Sequence, residues 1–85
     1  MLYQIKVFVS IKSDVLDPQG KTVNEALVHL GHNNIKNLRI GKYITFKLSA
    51  ESLEAMQKQT QEVCEKVLSN PIIESYEYTW TPLEQ

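Results

Sequence analysis

Apolar residues take every second position at the start of the chain: Tyr3, Ile5, Val7, Val9 and Ile11 alternate with the polar Gln4, Lys6, Ser10 and Lys12. A period of two puts each set on its own face of an extended chain, so a half-buried strand is predicted. Phe8 breaks the alternation by setting an aromatic ring on the polar face. Two readings of it stand: a lone exposed aromatic, common on protein surfaces, or part of a second buried face in an oligomer. Ser13 to Lys21 reads as a loop, with Asp17-Pro18 and Gly20 as its turn formers.

The period then becomes helical. Thr22 followed by Glu25 fits a capping box, which predicts a helix beginning at Thr22. Val23, Ala26, Leu27 and Leu30 share one face of it, and Gly31 supplies a left-handed stop. Leu38, Ile40, Ile44, Phe46 and Leu48 return to a period of two, and their phase survives the interruption at Gly41-Lys42. A hairpin turn there would put Ile44 on the face opposite Ile40, so the retained phase predicts one long strand bent at Gly41. Residues 38–48 as a strand would span roughly 36 Å, more than the ~30 Å expected across a domain of this size. Such a strand overhangs its own domain and predicts pairing with a second copy.

A second helix follows, with Ser49 or Ser52 as its cap and Leu53, Met56, Thr60, Val63, Cys64, Val67 and Leu68 as its apolar stripe. Glu54 with Lys58 and Glu62 with Lys66 stand four apart on the wet face, in the favourable order. Asn70-Pro71 ends that helix. Ile72 to Thr81 reads as a third strand with Tyr76, Tyr78 and Trp80 on one face, stopped by Pro82. The expected fold is α+β, a single domain over residues 1–85. It is a two-layer sandwich in β-α-β-α-β order, with a long bent second strand and both helices on one face of the sheet. The alternative is a four-stranded ferredoxin-like plan with the hairpin at Gly41-Lys42.

Composition narrows the chemistry. Eighty-five residues are near the lower limit for one hydrophobic core without disulfides or a metal. The single cysteine, Cys64, allows no internal disulfide and no cysteine metal cluster, and its place in a helical stripe makes it a packed thiol rather than a nucleophile. A net charge of −1 gives no footprint for nucleic acid or an anionic membrane. Lys12, Lys21, Arg39 and Lys42 converge at the loops, yet Phe8 and Tyr43 alone do not make an RNA-binding sheet face. No apolar run is long enough for a membrane span or a secretion signal, so the expected location is cytoplasmic. His29 and His32 flank the end of the first helix, where a cation meets unpaired carbonyls; neither has partners for catalysis or metal binding. The acidic residues of the second helix are spaced as a solvated face. Gly20, Gly31 and Gly41 are scattered rather than gathered in a phosphate loop. No catalytic or metal-binding residue is expected.

Several runs together resemble the PurS family, the small subunit of the three-component phosphoribosylformylglycinamidine synthase of purine biosynthesis. They are Ile5-Lys6-Val7-Phe8-Val9, Val15-Leu16-Asp17-Pro18-Gln19-Gly20, Ala26-Leu27 with Gly31, Arg39-Ile40-Gly41-Lys42-Tyr43-Ile44, Cys64-Glu65-Lys66-Val67-Leu68, and Asn70-Pro71-Ile72-Ile73-Glu74-Ser75-Tyr76. The resemblance covers roughly Tyr3 to Tyr78. His32-Asn33-Asn34 departs from a family segment richer in tyrosine and acids, and the tail ending in Trp80 lies outside the pattern.

The resemblance implies a partner glutaminase that releases ammonia and a large synthetase that uses ATP with Mg²⁺ to activate an amide oxygen. Neither an activated cysteine with a histidine partner nor a set of phosphate and Mg²⁺ ligands is present in this chain. It is therefore expected to bind no cofactor itself. It would bridge the two enzymes, assist ammonia transfer, and associate with itself as a dimer or a dimer of dimers. The implied docking residues are Asp17, Pro18, Gln19, Gly20 and Lys21 in one loop, Arg39, Gly41, Lys42 and Tyr43 at the bend, and Asn70, Pro71, Glu74 and Tyr76 after the second helix. Phe8 and Gly41 are the implied self-association residues. Lys42, Tyr43 and Gln19 have no evident local duty in the sequence. The rival reading is a free-standing dimeric domain that senses an amino acid or nucleotide, with its pocket near Gly31 and Gly41; calorimetry on the isolated chain with glutamine or purine intermediates separates the two.

Overall fold

Tyr3, Ile5, Val7 and Val9 are all buried, and the strand they belong to is the centre of the sheet. In a computed structural model, which describes residues 1–83, β1 spans Leu2–Ile11 and pairs antiparallel with a strand on each side. β2 is Gly41–Ser49 and β3 is Glu74–Leu83, giving the order β2-β1-β3. The helices are α1, Pro18–His29, and α2, Leu53–Val63, which runs on into a π-helical turn at Cys64–Leu68. This is the expected β-α-β-α-β order on an open three-stranded sheet. Gly41 pairs with Ser10 as the first residue of β2, so no hairpin forms there and the ferredoxin-like alternative falls.

The core lies between the sheet and α2. Met56, Thr60 and Cys64 are fully buried against β1, and Ile44, Phe46, Leu48, Tyr76 and Tyr78 close its flanks. Ser52 caps α2, its side chain accepting from the Ala55 amide at 3.1 Å. Glu62 and Lys66 pair at 3.5 Å as expected. The π turn is the surprise of this helix. The Ser69 amide reaches back five residues to the Cys64 carbonyl at 3.0 Å, and the Ser69 hydroxyl donates to the same oxygen at 2.8 Å. The wider turn shifts the stripe's phase, which keeps Leu68 packed on the core but turns Val67 out to solvent.

Four local expectations change. α1 begins at Pro18, not Thr22: Asp17 is the N-cap, accepting from the Gly20 amide at 3.0 Å, and Pro18 takes the first helical position, where its missing N–H costs nothing. Thr22 lies inside the helix, its hydroxyl donating to the Pro18 carbonyl at 2.9 Å. β2 begins at Gly41, so Leu38 and Ile40 keep the apolar phase without belonging to the strand. β3 begins at Glu74 and runs through Pro82, which is tolerated because β3 is an edge strand.

The other end of α1 follows expectation. Gly31 adopts φ 94°, the His32 amide donates to the Leu27 carbonyl at 2.9 Å, and the Gly31 amide donates to Val28 at 3.0 Å, the paired bonds of a Schellman stop. What α1 lacks is cover. Gly20 is its only buried residue, and its apolar stripe stays open, with Val23 40% and Leu30 75% exposed. The molecule measures 52 × 28 × 15 Å with a radius of gyration of 16.7 Å, well above the ~12 Å usual for a chain this long. The overhang argument therefore fails on both premises, since β2 is nine residues long and the molecule far exceeds 30 Å.

Candidate docking surface

All three predicted docking segments meet at the end of the sheet where β1 runs out. Ser10 pairs with Gly41 on one side and Ser75 on the other, and Ile11 pairs with Glu74. The Lys12 amide donates to the Ile73 carbonyl at 2.9 Å, carrying the chain from β1 toward α1. This end is therefore built from β1's exit, α1's start, and the starts of β2 and β3.

Asp17 is the centre of the arrangement, and it is buried rather than presented on an exposed loop. One carboxylate oxygen accepts from the Gly20 amide; the other accepts from the Ile40 amide at 2.9 Å and lies 4.0 Å from Arg39 Nε. These amide donors, first Gly20 and then Ile40, with help from the Arg39 charge, hold the Asp17 pKa below its ordinary value despite the opposing pull of burial. Arg39 Nη2 also donates to the carbonyls of Ile11, Lys12 and Val15 at 3.3, 2.9 and 3.1 Å. Residues 38–40 thus read as strand by phase but are held by a carboxylate and a guanidinium instead of by ladder bonds.

Lys42 has a local duty after all. Its Nζ lies 3.6 Å from Glu74 Oε2, joining β2 to β3 across the end of β1. Glu74 Oε1 accepts from the Asn70 amide at 2.7 Å, and Asn70 Oδ1 accepts from the Ile72 amide at 3.1 Å, which shapes the turn around Pro71. Tyr76 donates its hydroxyl to Glu65 at 3.1 Å, tying β3 to the π turn; burial, followed by that acceptor and its charge, pushes the Tyr76 pKa up. Tyr43 stacks on Phe8, ring centroids 4.9 Å apart at 25°, so neither ring is a lone surface aromatic. Gly20 and Gly41 are required by crowding. A Cβ on Gly20 would strike the Asp17 carboxylate, and one on Gly41 would strike the Val9 carbonyl, so Gly41 permits close strand approach rather than a bend.

Among the predicted residues, Pro18, Gln19, Lys21 and Pro71 are exposed, and so are Arg39, Gly41, Lys42, Tyr43 and Asn70 despite the local contacts just described. Pro18 and Gln19 line an open groove of about 560 Å³ with Thr22, Val23 and Ile40. Sequence reasoning passed over Leu16 and Ile72, both strongly exposed beside the predicted residues. Leu16 is an apolar residue outside the period of any element, next to a proline turn, and that signal was available; Ile72 keeps the even phase of Tyr76 and Tyr78 and reads as the start of the third strand, whereas β3 begins at Glu74.

Chemically, this end can hold a shape but assembles no reactive group. Among the described residues no buried side-chain nitrogen or oxygen lacks a partner, and no cluster of three metal-binding side chains forms. Cys64 lies in the core, where burial and then Glu65 push its thiol pKa up, away from the reactive thiolate. No helix among the described residues is long and apolar enough to cross a membrane.

A family model described as PurS, phosphoribosylformylglycinamidine (FGAM) synthase, matches residues 4–82. The phosphoribosylformylglycinamidine synthase subunit PurS of Bacillus subtilis is 44% identical over 79 residues, covering 91% of this chain and 90% of that one. Its counterpart in Methanocaldococcus jannaschii is 37% identical over 76 residues, with 89% and 92% covered. Among solved structures, PurLQS from Thermotoga maritima contains a chain that superposes with a TM-score of 0.85 at 32% identity, covering 95% of this chain and 99% of that one.

Proposed function

Because this chain belongs to the PurS family of phosphoribosylformylglycinamidine synthase subunits, we propose that it is the bridging subunit that joins a glutaminase to an ATP-dependent synthetase. Its contribution is positional. Ammonia released in neutral water is mostly protonated and no longer nucleophilic, so the two active sites need to be held in register. ATP and Mg²⁺ belong to the large subunit, and this chain binds no cofactor of its own. It works in the cytoplasm, without nucleic acid or membrane.

The observation that carries this reading is the gathering of the family's motif segments at one end of the sheet. Asp17 and Arg39 fix the loop there, and Pro18, Gln19 and Lys21 are left free for contact. Self-association, as a dimer or a dimer of dimers, rests on the uncovered stripe of α1 and on the elongated shape. A second copy covering Val23 and Leu30 removes apolar surface that the monomer leaves in water.

Reconstitution tests the reading. The synthetase and glutaminase from the same organism are assayed with and without this chain, first with glutamine and then with concentrated ammonium salt. Glutamine-driven synthesis requires the chain, while ammonium-driven synthesis proceeds in its absence. Normal glutamine-driven turnover without it removes the assignment.

A further inference from the structure

The two helices differ in what keeps them helical. α2 lies on the sheet, buries Met56 and Thr60, and is built mostly from good helix formers. α1 has neither support. Among the described residues, none between 12 and 40 belongs to the apolar core, and α1 itself buries only Gly20. Six of its twelve residues, Gly20, Thr22, Val23, Asn24, Val28 and His29, are weak helix formers. A helix this short is marginal in water on its own, so its stability has to come from outside it.

That support sits where the chain leaves the sheet after Ile11 and returns to it at Gly41. The outgoing and returning stretches are bound to each other there. Arg39 Nη2, on the returning stretch, donates to the Ile11, Lys12 and Val15 carbonyls of the outgoing one. Asp17 Oδ2 accepts from the Ile40 amide, and its Oδ1 accepts from the Gly20 amide in the first turn of α1. One carboxylate therefore caps the helix and closes the loop to which the helix belongs. The first turn of α1 holds no acidic residue, so the charge that meets its dipole comes from Asp17 as well. The returning stretch also packs on the helix, its Leu38 carbonyl lying 3.0 Å from where a Cβ on Gly20 would stand.

We propose that α1 is a conditional helix: the clasp of Asp17, Arg39 and the Ile40 amide folds residues 18–38 as one arm, and its release unfolds that arm while the sheet and α2 stay intact. Opening the clasp frees the loop between Ile11 and Gly41 and removes the helix cap in the same step. Pro18, Gln19 and Lys21 lie on the arm, so their placement at the end of the sheet depends on the clasp. The proposal concerns the free chain and does not depend on the bridging reading.

Native-state amide exchange on the full chain tests it. The wild type is compared with Arg39→Ala and Asp17→Ser at one protein concentration and in one association state, checked by light scattering. Asp17→Ser discriminates, because serine caps a helix about as well as aspartate but cannot hold the Gly20 and Ile40 amides together. In the wild type, the helix-bonded amides of α1 and the Ile40 amide exchange through one common opening, less protected than β1. Arg39→Ala removes no bond inside α1, yet it speeds all of these amides by a common factor of roughly ten or more. That is the scale of losing a hydrogen bond to a charged group. Asp17→Ser speeds the α1 amides to a similar extent, while β1 and α2 keep their wild-type exchange in both variants. Unchanged α1 exchange in Arg39→Ala overturns the proposal, since the helix would then stand without its clasp. Equal acceleration in β1 and α2 also overturns it, because the chain would then unfold as a whole. Wild-type α1 amides that open at unrelated free energies overturn it without any variant.

Discussion

Where α2 meets the sheet, Ile5, Val7, Met56 and Cys64 are fully buried, whereas α1 buries only Gly20 and is fastened through Asp17 and Arg39. The first region is held by apolar area removed from water, the second by a few polar bonds around one carboxylate. Burial of a core of this kind is non-directional and tolerates water nowhere. Polar fastening fixes geometry while leaving an apolar stripe and an apolar loop residue on the surface. On the proposed reading the two regions have different work: the sheet with α2 makes the molecule stable, and the α1 end is the part offered for docking.

Substitutions break this comparison in graded ways. The largest loss comes from the core. Ile5→Ala removes a fully buried side chain from the central strand and should cost about 3–4 kcal/mol in denaturant unfolding. Next is Gly41→Val, whose Cβ would strike the Val9 carbonyl and should cost about 2–3 kcal/mol as β2 is forced away from β1. A Gly41→Val variant as stable as the parent would contradict the role given to that glycine.

Asp17→Ala leaves the Gly20 and Ile40 amides without their acceptor. It should lower the melting temperature by roughly 5 °C and speed exchange of those two amides, while amides of β1 keep their protection. Equal loss of protection in β1 would mean that the two regions unfold as one. Val23→Ser should change monomer stability by less than about 0.5 kcal/mol, because that side chain is already 40% exposed, and weaken self-association seen by light scattering.

The smallest effect is in acid. The folded-state pKa of Asp17 lies below its ordinary 3.8, so its stabilisation is complete above the unfolded value and is lost as pH falls through the folded one. Chemical shifts of the Gly20 and Ile40 amides should therefore titrate with a midpoint below 3.8, and a midpoint above it would contradict the bonding described.

The same contrast explains what was legible in the sequence. Apolar burial writes itself as a period, so β1, the stripe of Met56, Thr60 and Cys64, and the Tyr76 and Tyr78 face of β3 were all readable. Polar fastening leaves no period. Asp17-Pro18 reads equally as a turn or as an N-cap with its first helical residue, and only the Ile40 amide, 23 residues away, makes the carboxylate a tertiary anchor. Leu38 and Ile40 carried strand phase, but the Arg39 between them bonds the β1–α1 loop rather than a neighbouring strand. Val67 left its expected face because a π turn changes the period itself. Of the candidate site, the segments were legible and their convergence was not, since pairing of Ser10 with both Gly41 and Ser75 is a property of the sheet.

Hydrogen exchange on the reconstituted three-subunit complex tests the division of labour most directly. The account predicts that adding the two larger subunits protects amides at the α1 end, in the β1–α1 loop around Val15 and Leu16 and in the turn from Asn70 to Glu74. Amides of α2 should exchange as they do in the free chain. Protection confined to α2, with the α1 end unchanged, would contradict it.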